Sequence, residues 1–525
     1  MNRILITDSL EPSGIDLLRE GGATVDVLTE EDRPRLLELI GDYDALVVRS
    51  ATKVTRELLA AARSLRVVGR AGIGVDNIDV AAATDRGVLV VNSPTANLLS
   101  ATEHTFALLL ALARHVVDAD RSLKAETWDR KSHVGVELYG KTLGIIGFGQ
   151  IGQRVAQRAR AFEMHVLAYD PFLNAEVARG LDVEPLDDLD ELLRRADAIT
   201  FHTPLTDQTR GLLDRRRLAL MKETALVVNC GRGGVIDEEA LLEALDAGRL
   251  GGAALDVFAQ EPPADYRLAA HPRVVATPHI GAQTHEAQER IATEIARMVL
   301  LALEGSLTVS AVNLPFRPAG SRGEPYLRLG ELLGRFASAM HAGSIDRVRV
   351  DLHGLEDALS IPVSVAALRG ALAPFLGEAV NYVNAEALAR ERGIELVRAA
   401  HSHAGEYAHL VGVRVRGEQG EIEVAGTLSG DGHPRVVGVG GFRLEFQPEG
   451  LLLVLRNRDV PGVVGKIGTL LGDAGVNIAD IHLARRDGED DAIAVLRLDS
   501  APADECVAAL RALEEARQVD VVDLG

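Results

Sequence analysis

The chain has 525 residues, enough for three or four domains, and its 47% hydrophobic and 25% charged residues are the balance of a globular protein. A net charge of −21 argues against a nucleic-acid or anionic-membrane partner, though it leaves room for a local basic pocket. Two cysteines, Cys230 and Cys506, give no disulfide framework; with no signal-like leader and no apolar run of about 18 residues, the chain reads as soluble and cytoplasmic.

The first part alternates short apolar runs with helix-compatible stretches. Arg3 to Thr7, Ala45 to Val48, Arg66 to Val68 and Val88 to Val91 each stop at polar or glycine residues, as parallel strands do in a doubly wound sheet. Ligands bind outside the carboxyl ends of such strands. Arg49, Arg70 and the Gly72–Gly74 turn therefore fall where a small anion would sit. The run Phe106 to Ala113 is too short to span a bilayer and reads as a core helix.

The next unit carries the clearest signal. The strand Leu143 to Ile146 feeds into Gly147, Gly149 and Gly152, a helix-compatible stretch runs from Gln153 to Phe162, and a second strand ends at Tyr169-Asp170-Pro171. This is G-x-G-x-x-G between strand and helix, with an acid about 20 residues on, the setting of a dinucleotide site. Gly147 permits the turn, Gly149 lets backbone approach a pyrophosphate, and Gly152 lets helix and strand pack closely. Asp170 suits the ribose hydroxyls and repels a 2′-phosphate, which favours NAD over NADP. Further strands are expected at Ala198 to Phe201, Ala225 to Val228, Gly252 to Val257 and Val274 to Thr277. A long helix from His285 to about Glu304 then returns the chain to the first unit.

Pro315 to Pro325 reads as a linker. The region from Tyr326 to about Glu445 is mixed, with strand-like alternation at Val411–Val415, Ile422–Ala425 and Arg443–Phe446. Leu451 to Gly525 has a βαββαβ pattern, with turns at Asp459-Val-Pro-Gly462 and Gly475-Val-Asn477.

Hydride chemistry needs a proton-transfer group and a cation for a carboxylate. The candidates are Arg232, Glu261 and His279, all at strand ends after the glycine fingerprint. Histidine titrates near neutrality, and arginine offers a two-pronged donor. Each also has a plainer reading. His279 after a proline could satisfy a buried turn, Arg232 could bind carbonyls, and Glu261 before Pro262 could cap a turn.

At these three motifs, with Arg49-Ser-Ala-Thr52 and Gly72-Ile-Gly-Val-Asp-Asn-Ile-Asp79, the chain resembles the D-isomer-specific 2-hydroxyacid dehydrogenases from Ile4 to about Asn313. The resemblance implies His279 as general acid/base, Glu261 as its partner and Arg232 as the substrate clamp. It implies a cofactor site of Gly147, Gly149, Gln150, Ile151, Gly152, Asp170, Thr203, Cys230, Gly231, Arg232, Asp256, His279, Gly281 and Ala282. Relatives often have arginine where this chain has Gln150.

With Val48-Arg-Ser-Ala-Thr-Lys-Val-Thr55, Val67-Val-Gly-Arg-Ala-Gly72, the Trp128 segment and its roughly 200 C-terminal residues, the chain is similar within the family to the long branch that acts on 3-phosphoglycerate at the first step of L-serine synthesis. That implies a substrate site from Arg49, Arg70, Gly72 and Gly74. Arg130 and Lys131, beside Trp128, would reach a neighbouring subunit of a homotetramer. It also implies four parts of α/β and α+β class. Two are Rossmann-like: a discontinuous substrate domain (1–95 and 285–314) and an NAD domain (96–284). An intervening domain (315–447), similar to an allosteric substrate-binding region, and an ACT domain (448–525) follow. Asn457, Asp459 and Asn477 are the expected effector residues, with L-serine the implied ligand. An unphosphorylated glyoxylate or hydroxypyruvate reductase and an NAD-sensing scaffold are the alternatives.

Overall fold

The computed structural model describes residues 1–29, 31–307, 310–317, 320–341, 343–418, 420–486 and 490–524. Four β-sheets organise them. The first has five parallel strands in the spatial order Thr24–Val27, Arg3–Ile6, Ala45–Val48, Val67–Arg70 and Leu89–Asn92. The middle three are almost fully buried runs such as Ala45-Leu-Val-Val48, as expected of strands covered on both faces. One face is covered by the helix His285–Leu303, whose Ile291, Ile295, Ala296 and Val299 share a core with Ile4, Ile6, Val47 and Val67.

The second sheet has seven parallel strands, ordered Val274–Ala276, Gly252–Leu255, Leu226–Asn229, Ala198–Phe201, Thr142–Ile146, His165–Tyr169 and Glu184–Pro185. The apolar run at 106–113 is the latter half of the helix Leu98–Ala113, packed over this sheet with Phe106, Leu109 and Leu112 buried. Strand order reverses between Arg3–Ile6 and Ala45–Val48 in the first sheet, and between Thr142–Ile146 and Ala198–Phe201 in the second. Such reversals open crevices at the carboxyl ends of the strands.

The third and fourth sheets correct parts of the sequence reading. The linker expected at 315–325 gives way to the helix Gly320–Ala339, with Pro325 inside it; positions 318 and 319 lie outside the described residues. Leu329, Leu333, Phe336 and Ala337 are buried against the helix Ser360–Leu376, and this packing outweighs a helix-poor composition. The segment Asp357–Ala379 is also long and apolar enough by composition to cross a membrane, contrary to the expectation that no such run exists. Its Val363, Val365, Ala366 and Leu368 are fully buried in the protein core.

The third sheet has six strands, including Ile345–His353, Glu395–His401 and Pro434–Val439, none of which was expected. Its other strands are Leu410–Gly417, Gly420–Leu428 and Phe442–Phe446. The fourth is antiparallel, in the order Ile478–Arg485, Ala492–Leu498, Leu451–Asn457 and Ala516–Asp523. One of its faces, through Leu452, Val454, Val495 and Val522, belongs to the same core as the third sheet.

Candidate active site

The glycine fingerprint sits at the reversal in the second sheet. Gly147 has φ of 92°, and a Cβ there would lie 2.6 Å from the His202 carbonyl oxygen. A Cβ on Gly152 would lie 2.3 Å from the Gly147 carbonyl oxygen, so helix Gln150–Ala161 can approach its strand only with glycine there. A Cβ on Gly149 would meet nothing within 4 Å. The turn is closed on the protein side and open on the other, as a backbone cradle for a pyrophosphate must be.

The helix N-cap, Gly149, offers no side-chain cap, so the first-turn N–H groups remain available to an anion. Gln150 is exposed and Ile151 half-buried. Across the crevice the buried Thr203 hydroxyl has no hydrogen-bond partner among the described residues, a donor left free for a ligand. Asp170 accepts the Phe148 N–H at 2.8 Å and the Phe172 N–H at 2.8 Å, which fixes its carboxylate at the end of the second strand. These residues fit a dinucleotide.

Burial pushes the Cys230 thiol up to about 12, and burial holds His202 down to about 4. Near neutrality both are uncharged, and His202 shares a hydrogen bond with the Thr200 hydroxyl at 3.0 Å. Gly231 donates its N–H to Asn229 Oδ1 at 3.0 Å, which shapes the turn that delivers Arg232.

His279 and Glu261 face each other, with Nδ1 to Oε2 at 2.6 Å. Burial pushes the Glu261 carboxyl up, but the hydrogen bond and charge of His279 outweigh it and hold the group below its ordinary value. Glu261 also accepts the Phe258 N–H at 3.1 Å, and a Cβ on Gly233 would lie 1.8 Å from the Phe258 carbonyl oxygen. The Arg232 loop and the Glu261 loop are therefore in direct contact. An apolar cavity of about 390 Å³, lined by Phe258, Pro262, Pro263 and Tyr266, adjoins the pair. A larger cavity of about 720 Å³ lies far from this chemistry, between the third and fourth sheets.

His279 has φ of 53°, an unusual conformation for a non-glycine residue. Asp256 accounts for it. This carboxylate is 1% exposed and accepts the N–H groups of Ile280 at 2.8 Å and Gly281 at 2.9 Å. It also accepts the Thr277 hydroxyl at 2.6 Å and lies 3.2 Å from His104 Nε2. Burial would raise its pKa, but these hydrogen bonds and the nearby imidazole hold it below the ordinary carboxylate value. From sequence Asp256 is expected only as a cofactor contact, and nothing announces His104, which sits inside an apolar helix with no motif around it. The Ala282 carbonyl accepts from Gln288.

The first sheet supplies the cations. Burial, then repulsion from Arg232 and Arg49, lowers the Arg70 guanidinium to about 10, and its Nε is buried without a partner among the described residues. A Cβ on Gly72 would lie 1.5 Å from Arg70 Nη1, and one on Gly74 would lie 2.3 Å from Arg232 Nη2. Both glycines thus make room for guanidinium groups. Arg232 Nε lies 3.4 Å from Asp76 Oδ2. Three guanidinium groups from two sheets converge, and such a cluster is relieved by an anion.

Other expected residues lie elsewhere. Arg130 and Lys131 are exposed on the loop of Trp128, which is 79% exposed. In the fourth sheet Asn457 is buried and donates to the Arg458 carbonyl at 2.6 Å, and Asn477 donates to Asp499 at 2.6 Å. Asp459 lies 3.5 Å from Arg485, so its charge already has a partner within the chain.

Residues 106–281 match the family model of the D-isomer specific 2-hydroxyacid dehydrogenase NAD-binding domain. Residues 323–440 match the D-3-phosphoglycerate dehydrogenase intervening domain, and residues 451–515 match the ACT domain. D-3-phosphoglycerate dehydrogenase of Methanocaldococcus jannaschii is 42% identical over 100% of both chains. The chain belongs to the D-3-phosphoglycerate dehydrogenase family. Its dehydrogenase half is similar to a solved Thermus thermophilus protein, with 37% identity, a TM-score of 0.55, and coverage of 59% of this chain and 99% of that one. D-lactate dehydrogenase from Aquifex aeolicus, solved with NAD and lactic acid, is 30% identical with a TM-score of 0.53, covering 58% of this chain and 96% of that one. This member of the family is an NAD-dependent dehydrogenase.

Proposed function

We propose that the chain oxidises (2R)-3-phosphoglycerate to 3-phosphohydroxypyruvate, the first step of L-serine synthesis, in the cytoplasm. The observation that carries the substrate is the convergence of Arg49, Arg70 and Arg232, two more guanidinium groups than one carboxylate requires. Arg232 takes the carboxylate and the reacting oxygen, while Arg49 and Arg70 take the phosphate beside Gly72 and Gly74. The Gly147–Gly152 turn, Asp170 and Thr203 would hold NAD, which when bound would supply the hydride acceptor. His279 takes the substrate hydroxyl proton on Nε2, because Nδ1 is committed to Glu261. Glu261 fixes the ring and stabilises the imidazolium that results.

In this proposal 1–95 with 285–314 bind the substrate and 96–284 bind NAD, followed by 315–447 and the ACT domain 448–525. The ACT turns around Asp459 and Asn477 are read as an L-serine site, and the exposed Trp128 loop, with Arg130 and Lys131, as a contact within a homotetramer.

The test is NADH formation from 3-phosphoglycerate, with reduction of phosphohydroxypyruvate and hydroxypyruvate run beside it. Strong preference for the phosphorylated substrate supports the reading, and equal rates would move the assignment to an unphosphorylated 2-oxo acid. L-serine titration and light scattering test the effector and the tetramer.

A further inference from the structure

We infer that Asp8 is a positioning residue that holds the phosphate-binding turn of Arg49 in its binding geometry. The inference rests on the reading that Arg49 carries substrate phosphate. Asp8 lies just beyond the carboxyl end of the strand Arg3–Ile6 and Arg49 just beyond that of its neighbour Ala45–Val48, so the two residues flank the crevice where the strand order reverses.

Asp8 is 7% exposed, and both of its oxygens are committed. Oδ2 accepts the Arg49 N–H at 2.6 Å and the Thr52 N–H at 3.2 Å. Oδ1 accepts the Thr52 hydroxyl at 2.9 Å and the Arg33 guanidinium at 3.1 Å. From the other side, Asn77 Nδ2 donates to the Arg49 carbonyl at 2.7 Å and to the Thr52 carbonyl at 2.6 Å. The turn 49–52 is therefore fixed through donors and acceptors at both of its ends. Among the described residues, the Arg49 side chain makes only long contacts, at 3.4 Å to the Ser9 carbonyl and hydroxyl. Its backbone is held tightly and its guanidinium remains available.

The charge of Asp8 has a second effect. Arg49, Arg70 and Arg232 repel one another, and Asp8 is among the acids whose field favours the charged form of Arg70. Because Asp8 is buried behind the turn and saturated with donors, it steadies the cations without occupying the ligand's place. An exposed acid would compete with the phosphate. The ordering of Arg49 is completed on folding, so binding does not have to supply it.

The test uses the full-length enzyme with Asp8→Asn, Thr52→Val and Thr52→Ser, measured in reduction of phosphohydroxypyruvate and of hydroxypyruvate. Thr52→Val keeps the shape and deletes one donor to Asp8, while Thr52→Ser retains it. Loss of a hydrogen bond to a charged group predicts a KM for phosphohydroxypyruvate raised roughly tenfold in Thr52→Val, and more in Asp8→Asn. The expected companions are kcat within about twofold, NAD affinity unchanged and Thr52→Ser near wild type. KM for hydroxypyruvate should stay put, since it has no phosphate to place.

Equal KM increases for both substrates, or no increase for either, would overturn the positioning role. A wild-type enzyme that does not distinguish the two substrates would instead overturn the reading of Arg49 as a phosphate ligand. If Asp8→Asn fails to fold, the Thr52 pair carries the same comparison alone.

Discussion

At the scale of single residues, the His279 loop joins chemistry to backbone strain. A non-glycine residue in the left-handed region costs about 1–3 kcal/mol, and here Asp256 holds it by accepting the next two N–H groups. His279→Ala should lower kcat by roughly two to four powers of ten and leave NAD affinity, measured by fluorescence titration, unchanged. Asp256→Asn probes the support rather than the base. The Asp256 carboxyl is depressed in the folded protein, so its contribution to stability is complete above the ordinary carboxylate value of about 3.9 and is lost as pH falls through the lower folded value. The melting temperature of the wild type should therefore fall more steeply than that of Asp256→Asn below about pH 4; parallel curves would remove Asp256 from this role. Asp170→Ala should narrow the preference for NAD over NADP, since it deletes the charge that repels a 2′-phosphate, and an unaltered ratio of kcat/KM would contradict the ribose assignment.

At the scale of elements, the two later glycines of the fingerprint separate folding from binding. Gly152→Ala pushes a methyl to 2.3 Å from the Gly147 carbonyl oxygen, so it should cost about 1–3 kcal/mol of stability. Gly149→Ala meets nothing within 4 Å, so its melting temperature should match wild type while NAD affinity falls. Loss of stability in Gly149→Ala would show that the open side of the turn is not the cofactor side. This strand-turn-helix unit was legible in the sequence because every determinant lies within about 25 residues and is local. Its helix begins at Gln150 rather than Gln153, because the glycine turn itself opens the helix. The strand Glu395–His401 was not legible, since its partner lies 48 residues away and none of its residues is buried, whereas Ile345–His353 carries the local alternation Val348-Arg-Val-Asp-Leu352 and could have been read. The left-handed His279 was equally hidden, because a buried acid at 256 imposes it and nothing local announces it. The same holds for the anion cluster. Arg49 and Arg70 were legible from strand ends, but their meeting with Arg232 depends on how two sheets face each other.

At the scale of the whole molecule, the tail is joined unevenly to the rest. The fourth sheet does not stand apart. Leu452, Val454, Ile493, Val495, Val522 and Leu524 lie in one core with Phe336, Val350, Val413 and Phe446 of the third-sheet unit. By contrast, that unit meets the first sheet's unit through a polar contact, where Asn381 donates to the Gly87 carbonyl at 2.8 Å. Asn313 closes the first unit by bonding to Val90 and Val88 across the end of the strand Leu89–Asn92. Removing residues 448–525 alone should thus expose a contiguous apolar face, of the kind that drives aggregation. Ending the chain after Asn313 should expose far less. Two solved structures similar over 58% or 59% of this chain are covered to 96% or more by its dehydrogenase half, so in those proteins that half forms nearly the whole chain. The shorter truncation product, residues 1–313, is therefore expected to be the better behaved, retaining NAD binding and a single cooperative melt. The longer product, residues 1–447, is expected to aggregate or to melt at lower temperature despite keeping more of the protein. Size-exclusion chromatography and calorimetry of the two chains distinguish the cases, and a soluble, stable 1–447 would mean that the fourth sheet docks on a surface already complete without it.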